Sequence, residues 1–451
     1  MNRGWALTAI AAVLCFTPAV AHKKDPAPQG SERQRAIQAL NRLTFGARPS
    51  DVDRVSSLGV DRWIDQQLHP ESINDDAFDA LLAPFRTLQM SSRELIENFP
   101  PQALIRQIAN GKEELPRDPR LRAVYQAQLE RYRERQEKKN ADANQADSTA
   151  MARPDVDTSE LLALPAAQRI KAVLKMSPEE QGALMTSLKG PIRQEFLEGM
   201  SSEDRETAVA LANPQRVVVE ELMQAKILRA TYSERQLQEV MTDFWLNHFN
   251  VFIGKGADRY ELTSYERDVI RPHALGKFED LLVGTAQSPA MLFYLDNWLS
   301  VGPDSDFARG IRLGAGRNWR RRFPDAGQNP QPKQRRNGLN ENYGRELMEL
   351  HTLGVNGGYT QKDVTEVAKV FTGWTLKQPR EGGGFKFDDR MHEPGTKVVL
   401  GQKIKENGEK EGYEVLHLLA RNPATAKFVC NKLAMRFVSD NPPPELVDRM
   451  A

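Results

Sequence analysis

The stretch 340–374, NENYGRELMELHTLGVNGGYTQKDVTEVAKVFTGWT, concentrates Asn, Arg, Glu, His and Trp at helical spacing. On an α-helix, Asn342, Arg345, Glu346 and Glu349 form one stripe at i, i+3, i+4 and i+7. Carboxylates three residues apart repel unless a cation lies between them, and Arg345 or a divalent metal ion could supply that charge. The stripe predicts a site with Arg345, Glu346 and Glu349 as catalytic residues, or else a solvated charged face.

The helix that carries this stripe is predicted to begin after a cap at Asn340 and to run through Leu353, with Gly354 ending it in a left-handed conformation. At 100° per residue, His351 lies about 140° from Glu346, so we predict that His351 packs on the apolar face. Gly344 costs the helix about 1 kcal/mol relative to Ala, which predicts the close approach of another backbone.

A second candidate group lies on a predicted helix at 234–249. His248 shares one face with the apolar side chains of Leu237, Val240, Met241, Phe244 and Trp245. A buried imidazole needs partners for its ring nitrogens, so His248 is either a core histidine bonded to a carboxylate or carbonyl, or a metal ligand or general base.

Two further groups extend the predicted site. Asp296 follows a short helix that Ser288-Pro289 begins, and it is either a turn residue or faces Arg345 or a metal ion. His392, beside Glu393, lies on a loop as a ligand or as an exposed side chain. The predicted ligands of a divalent metal ion are His248, Glu346, Glu349 and His392, with Asp296 and Asn342 as additional groups.

The N-terminus follows the secretory pattern, with Arg3, an apolar run over 5–16 and Ala19-Val20-Ala21 before the predicted cleavage site. We therefore expect removal of residues 1–21 and a periplasmic or secreted protein. Removal takes Arg3 from the 62 basic residues and leaves 61 against 61 acidic ones, so the charge gives no case for nucleic-acid binding. Only Cys430 remains, which excludes an internal disulfide and a cysteine-based metal or haem motif.

The rest of the chain predicts a mainly α, multi-helix globular array with a small β-hairpin near 384–400, formed by 385–387 and 397–400. Residues 22–30 are a predicted tether, and 31–451 one domain. A charged helix and a disordered insertion interrupt the domain at about 110–157, and a basic loop at about 301–338. No segment after the signal peptide is long and apolar enough for a membrane helix.

Several motifs together resemble the bacterial family catalogued as domain of unknown function 1800: LNRLTFGARPSD, FWLNHFNVF, SPAMLFYLDNW, NENYGRELMELHTLGVNGGYT, VFTGWT and NPATAKFVCNKLAMRFV. They span nearly all of the predicted mature chain in the right order. The resemblance implies an exported, mainly helical protein without an established activity, from a family often found beside a secreted sulfatase-like family.

The chain departs from the family pattern in two places. Gly344 stands where the family usually has Ala, and His392-Glu393 where His-Asp is usual, which puts a ligand role for Glu393 in doubt. Members usually continue past a turn such as Pro442-Pro443-Pro444, so a truncated C-terminus is also expected.

Three functional hypotheses follow. The first is a metal-assisted hydrolase, in which His248 and the carboxylates hold a divalent ion that lowers the pKa of a bound water. The second is a non-catalytic envelope protein that binds a partner exoprotein, such as the sulfatase-like one, with the polar cluster as a satisfied buried network. The third is a haem-dependent oxidase with His248 as axial ligand, which no sequence motif supports.

Overall fold

The computed structural model describes residues 29–143, 158–310, 338–377 and 383–451, and within these ranges the protein is mainly helical, as predicted. The predicted signal peptide, nearly all of the tether, residues 144–157 of the insertion and residues 311–337 of the basic loop lie outside the described residues. No helix in the described ranges is long and apolar enough to cross a membrane.

The N-terminal half consists of short helices joined by tight turns. The helices are Gln29–Leu43, Asp51–Leu58, Val60–Leu68, Asp76–Leu82, Ser92–Asn98, Gln102–Ala109, Pro119–Ala143, Thr158–Ala163, Ala166–Val173, Pro178–Ser187, Gly190–Leu197 and Ser202–Ala212. Gly111, at a φ of 66°, follows the helix that ends at Ala109 and separates it from the charged helix Pro119–Ala143. The charged helix that the sequence predicts from about residue 110 therefore begins at Pro119.

The described part of the C-terminal half holds further helices and two small sheets. Its α-helices are Pro214–Tyr232, Gln236–His248, Asp258–Ser264, Arg271–His273, Phe278–Gln287, Pro289–Tyr294, Glu341–Glu346, Gln361–Val370, Glu409–Ala420, Pro423–Phe437 and Pro444–Met450. Two segments are π-helices, Tyr265–Ile270 and Leu347–Thr352. Single 3₁₀ turns cover Pro70–Ser72, Arg86–Leu88, Asn297–Leu299 and Asp389–Met391.

The predicted hairpin is wrong in its strand pairing. Trp374–Leu376 pairs antiparallel with Phe385–Phe387, and Lys397–Val399 pairs antiparallel with Gln402–Ile404. Leu400 and Gly401, at φ values of 49° and 77°, form the two-residue turn of the second hairpin. Because a leucine rarely takes a left-handed conformation, nothing in the sequence marked that turn.

The largest apolar cluster lies in the C-terminal half and surrounds the functional region. Phe249, Tyr343, Met348, Phe371 and Trp374 are all essentially inaccessible within it. A second apolar cluster lies between the helices of residues 95–218, and a smaller one lies between the first three helices. The main core thus holds the helices that carry the predicted site residues in fixed positions.

Candidate functional site

The helix that carries the predicted catalytic stripe is capped as the sequence predicts, and we call Glu341–Thr352 the site helix. Asn340 accepts a hydrogen bond from the backbone N–H of Tyr343 at 3.2 Å. Gly354, at a φ of 77°, follows the C-terminal end. The second half of the site helix, Leu347–Thr352, has π-helical hydrogen bonding, so each N–H bonds to the carbonyl five residues earlier.

This π-helical segment changes which side chains share a face. The N–H of Leu353 donates to the carbonyl of Met348 at 2.8 Å, and the Thr352 hydroxyl donates to the carbonyl of Leu347 at 2.7 Å. A wider turn places residues five apart more nearly above one another than an α-helix does. His351 therefore lies on the same pocket as Glu346. The prediction that His351 packs on the apolar face is confirmed, because it is 7% exposed and its ring lies 5.1 Å from that of Phe249. Its place in the pocket lining was not predicted, because the prediction assumed 100° per residue throughout.

Gly344 allows the site helix to lie against the next helix, Gln361–Val370. A Cβ at this position would lie 2.7 Å from the carbonyl oxygen of Val364 and 3.1 Å from the backbone nitrogen of Ala368. The predicted close approach of another backbone is confirmed.

A pocket of about 440 Å³ opens beside the site helix. Four of the predicted site residues line it together, namely His248, Asp296, Asn342 and Glu346. It also contains groups that the sequence did not indicate, namely Asn247, Asn250, Lys255, Tyr294 and His351. Asn250 and Lys255 lie between helices, where no periodic pattern could have pointed to them.

His248 is buried at the end of its helix, and both of its ring nitrogens have partners. Lys432 Nζ donates to His248 Nδ1 at 2.9 Å, so the ring proton is on Nε2, which donates to the backbone carbonyl of His351 at 3.0 Å. Burial, and secondly the charge of Lys432, lowers the pKa of His248 to about 4. The imidazole is therefore neutral at pH 7, and its bonds match the core-histidine alternative.

His351 differs from His248 although the two rings lie 6.4 Å apart. Its side chain is only 7% exposed, yet neither ring nitrogen has a hydrogen-bond partner in the described part of the chain. Burial, and secondly the electrostatic influence of His248, lowers the pKa of His351 to about 3. A neutral imidazole with no partner thus opens onto the pocket.

Glu346 is the pocket's free carboxylate. The structure shows no hydrogen bond or ion pair to it from any described residue. Burial, and secondly repulsion from Glu349, raises the pKa of Glu346. The predicted cation is directed elsewhere, because Arg345 donates to Gln361 Oε1 at 2.6 Å. Glu349 also lies outside the pocket lining and accepts a hydrogen bond from the Tyr359 hydroxyl at 2.9 Å.

Asp296 lines the pocket and is paired with Lys255, not with the predicted Arg345. It has a left-handed backbone, with φ of 58°, and its carboxylate lies 3.0 Å from Lys255 Nζ. Lys255 also donates to the backbone carbonyl of Tyr294. Asp296 is therefore a turn residue, as the first alternative predicts. It also faces a positive charge, as the second predicts, but that charge belongs to Lys255 and not to Arg345.

His392 belongs to a separate buried cluster. Its Nε2 lies 3.0 Å from Glu411 Oε1, and its Nδ1 lies 2.9 Å from the carbonyl oxygen of Thr372. Lys397 Nζ lies 2.7 Å from the other oxygen of Glu411. The neighbouring Glu393 accepts a hydrogen bond from the backbone N–H of Asp304 at 2.8 Å, which gives it a structural role in place of a ligand role.

The predicted metal ligands do not converge. Among the residues that the structure describes, no group of three His, Cys, Asp or Glu side chains is arranged to hold a metal ion. Of the four predicted ligands only His248 and Glu346 line the pocket, and the ring nitrogens of His248 already have partners. A metal site there would require His248 to lose one of these two hydrogen bonds.

The family model described as "Protein of unknown function (DUF1800)" matches residues 38–451. The protein belongs to this family. No curated protein and no solved structure matches the chain. The DUF1800 match covers the site helix and all of the pocket residues, and it agrees with the resemblance of the motifs.

Proposed function

We propose that this DUF1800 protein binds a small polar molecule in the pocket beside the site helix. The observation that carries the proposal is His351, which is 93% buried and leaves both ring nitrogens without a partner among the described residues. No nitrogen of this ring is fully enclosed by the described residues, so the ring is accessible from the pocket. A ligand that enters the pocket can therefore form a hydrogen bond with His351. The pocket volume of about 440 Å³ lies in the range of small-molecule sites.

Binding is better supported than base catalysis. A general base works best when its pKa lies near the working pH. His351, with a pKa of about 3, lies several units below neutrality. Each pKa unit corresponds to about 1.4 kcal/mol, so a proton on this ring costs several kcal/mol. A neutral imidazole that resists protonation is instead a steady hydrogen-bond acceptor or donor.

Hydrolysis is a second candidate function, and one observation favours it. The free carboxylate of Glu346 and the free imidazole of His351 line the same pocket. Burial and Glu349 raise the pKa of Glu346, which is the direction that a proton donor needs. The metal-assisted form of this reaction has weaker support, since His248 is bonded to Lys432 and to the His351 carbonyl.

The binding proposal is tested with variants at the pocket mouth. Leu350 lines the pocket and is 47% exposed, whereas Val355 is 69% exposed and is not among the lining residues. Leu350→Trp should narrow the pocket, and Val355→Trp is the matched control. Thermal unfolding is followed with sets of small ammonium compounds, carboxylates and polyols. At least one class should raise Tm for wild type and V355W but not for L350W. Equal shifts in all three proteins, or none in wild type, would overturn the proposal.

The hydrolytic candidate is tested separately with chromogenic esters, phosphate esters and glycosides. Activity that a chelator leaves unchanged and that His351→Asn abolishes would support metal-independent hydrolysis. Activity that a chelator removes and a divalent ion restores would bring back the metal-assisted form. Binding in the pocket without turnover would leave the protein as a binding protein.

Location and partner are part of the proposal. The secretory pattern of residues 1–21 supports export, so the ligand would be a molecule of the periplasm or the exterior. Binding to a sulfatase-like exoprotein is the alternative role. A pull-down in which such a partner binds L350W as well as wild type would favour that role over the pocket.

A further inference from the structure

The positive and negative charges of the side chains that line the pocket do not sum to zero. Lys255 contributes one positive charge, and Asp296 and Glu346 contribute one negative charge each when ionised, which leaves one negative charge in excess. His248 and His351 add none at pH 7, because their pKa values are lowered to about 4 and about 3. The excess carboxylate is Glu346, since Asp296 is paired with Lys255 at 3.0 Å.

The cations around the pocket are all engaged elsewhere. Arg345, next to Glu346 in the chain, donates to Gln361 Oε1. Lys432 donates to His248 Nδ1. Lys255 is held by Asp296 and by the carbonyl of Tyr294. Glu346 therefore has no hydrogen bond or ion pair with a cation of the described residues. Burial and then Glu349 raise its pKa, and the nearby charge of Arg345 offsets them only in part.

The polar groups beside Glu346 can act as acceptors. His351 is neutral and offers an unprotonated ring nitrogen. Asn247 also lines the pocket, and its side-chain nitrogen donates to the carbonyl of Asp243 at 2.7 Å, while no described residue donates to its Oδ1. A carboxylate, an imidazole nitrogen and an amide oxygen match the three N–H donors of one primary ammonium group.

We infer that the pocket selects molecules that carry a primary ammonium group, with Glu346 as the charge partner and His351 as a neutral hydrogen-bond acceptor. This inference rests on the proposed binding function and adds the chemical class of the ligand. An anionic ligand is disfavoured, because it would meet Glu346 while the one lysine of the pocket lining is already paired. A neighbouring cation also agrees with the lowered pKa of His351, since the ring remains an acceptor beside a positive charge.

The test measures binding of matched pairs to the full chain by isothermal titration calorimetry at pH 7. The pairs are glucosamine with glucose and cyclohexylamine with cyclohexanol, which differ mainly in the ammonium group. Wild type should bind the ammonium member of at least one pair about tenfold or more tightly than its neutral counterpart, which corresponds to about 1.4 kcal/mol. Glu346→Gln should bring this ratio close to one.

The matched control is Glu349→Gln. Glu349 has the same charge three residues further along the site helix, but its carboxylate is bonded to Tyr359 and lies outside the pocket lining. E349Q should retain most of the ammonium preference. Thermal unfolding of both variants shows whether they fold as wild type does.

The possible results separate the two proposals. If neutral members bind wild type as tightly as ammonium members, and L350W weakens both, the ammonium inference is wrong and the binding function stands. If E346Q keeps the full preference, Glu346 is not the charge partner and the inference is also wrong. If L350W binds every compound as wild type does, or if none binds, the inference and the proposed function both fail.

Discussion

Two places in this molecule bring His, Glu and Lys side chains together, and they differ in how fully these groups are bonded. In the buried cluster of His392, Lys397 and Glu411, both ring nitrogens of the histidine lie close to oxygen atoms, and the lysine lies 2.7 Å from the glutamate. In the pocket, His351 and Glu346 have no such partners among the described side chains.

The difference separates a structural role from a binding role. Glu411 is fully buried, and it also accepts hydrogen bonds from the backbone N–H groups of Asn407 and Gly408. Although burial by itself would raise the pKa of Glu411, the hydrogen bonds from His392 and Lys397 lower it. This network joins the second hairpin, through Lys397, to the helix Glu409–Ala420. In the pocket, Glu346 and His351 form no hydrogen bond or ion pair with the described residues, so they are available to bind a ligand.

The largest expected effect comes from breaking the buried cluster. Glu411→Ala leaves Lys397 and His392 buried without their carboxylate, so unfolding free energy should fall by about 3–5 kcal/mol. Urea denaturation followed by circular dichroism measures it. The control is Glu346→Ala in the pocket, which should cost less than about 1 kcal/mol. Equal losses in the two variants would contradict the division into a structural and a binding region.

The next effect concerns the acid sensitivity that His351 confers. Its pKa is about 3 in the folded protein and about 6.5 in an unfolded chain, so below pH 6.5 the unfolded state takes up a proton that the folded state does not. The stability that this neutral ring provides is complete above about pH 6.5 and is lost as the pH falls toward 3. Between pH 7 and pH 4 the loss amounts to about 3 kcal/mol.

Other buried groups make the protein more stable as the pH falls. The contribution of His351 must therefore be measured as the difference in unfolding free energy between wild type and a His351 variant. Burial, as the largest cause, raises the pKa of Asp258 to about 8 and that of Glu261 to about 7, and protonation of these carboxyls stabilises the fold as the pH falls. Urea titrations of wild type and His351→Asn are carried out at several pH values. The contributions of Asp258 and Glu261 are the same in both proteins, so they cancel in the difference. The wild type should lose more stability than H351N between pH 7 and pH 4. Parallel curves would show that His351 is not held neutral by the fold.

A smaller effect is expected at the contact that positions the site helix. Gly344→Ala would place a Cβ 2.7 Å from the carbonyl oxygen of Val364, so the two helices must separate, at a cost of about 1–3 kcal/mol. Gly182→Ala is the control, because its Cβ would meet no heavy atom within 4 Å and the substitution should stabilise its helix by up to about 1 kcal/mol. Unfolding by urea measures both. A G344A protein as stable as wild type would show that the helices can move apart without strain.

The smallest effect is expected from His351 itself at neutral pH. His351→Asn removes no hydrogen bond seen in the described chain, so at pH 7 it should change the unfolding free energy by less than about 1 kcal/mol. His248→Asn removes the bonds to Lys432 and to the His351 carbonyl and should cost about 1–3 kcal/mol. The same urea experiment compares them, and a larger loss in H351N than in H248N would reverse the assignment of the two histidines.

The sequence by itself determined the features that depend on neighbouring residues. Helical periodicity predicted the mainly α fold, and the Asn340 cap follows from local side-chain chemistry. Thr360 and Asp363, three residues apart, form a capping box for the next helix, which is likewise local side-chain chemistry. The close approach at Gly344 was also readable, because a glycine inside a helix needs a reason. These features depend on interactions within a few residues along the chain.

Only the tertiary structure decided which polar groups meet. The change from α- to π-helical hydrogen bonding after Glu346 brings His351 to the pocket. Neither the residue types nor their spacing predicted this change. The partners of Arg345 and His392 come from segments 16 and 19 residues away, and Lys432 lies 184 residues from His248. Local periodicity shows which face of a helix a side chain occupies, but the group it meets there depends on the packing of distant segments.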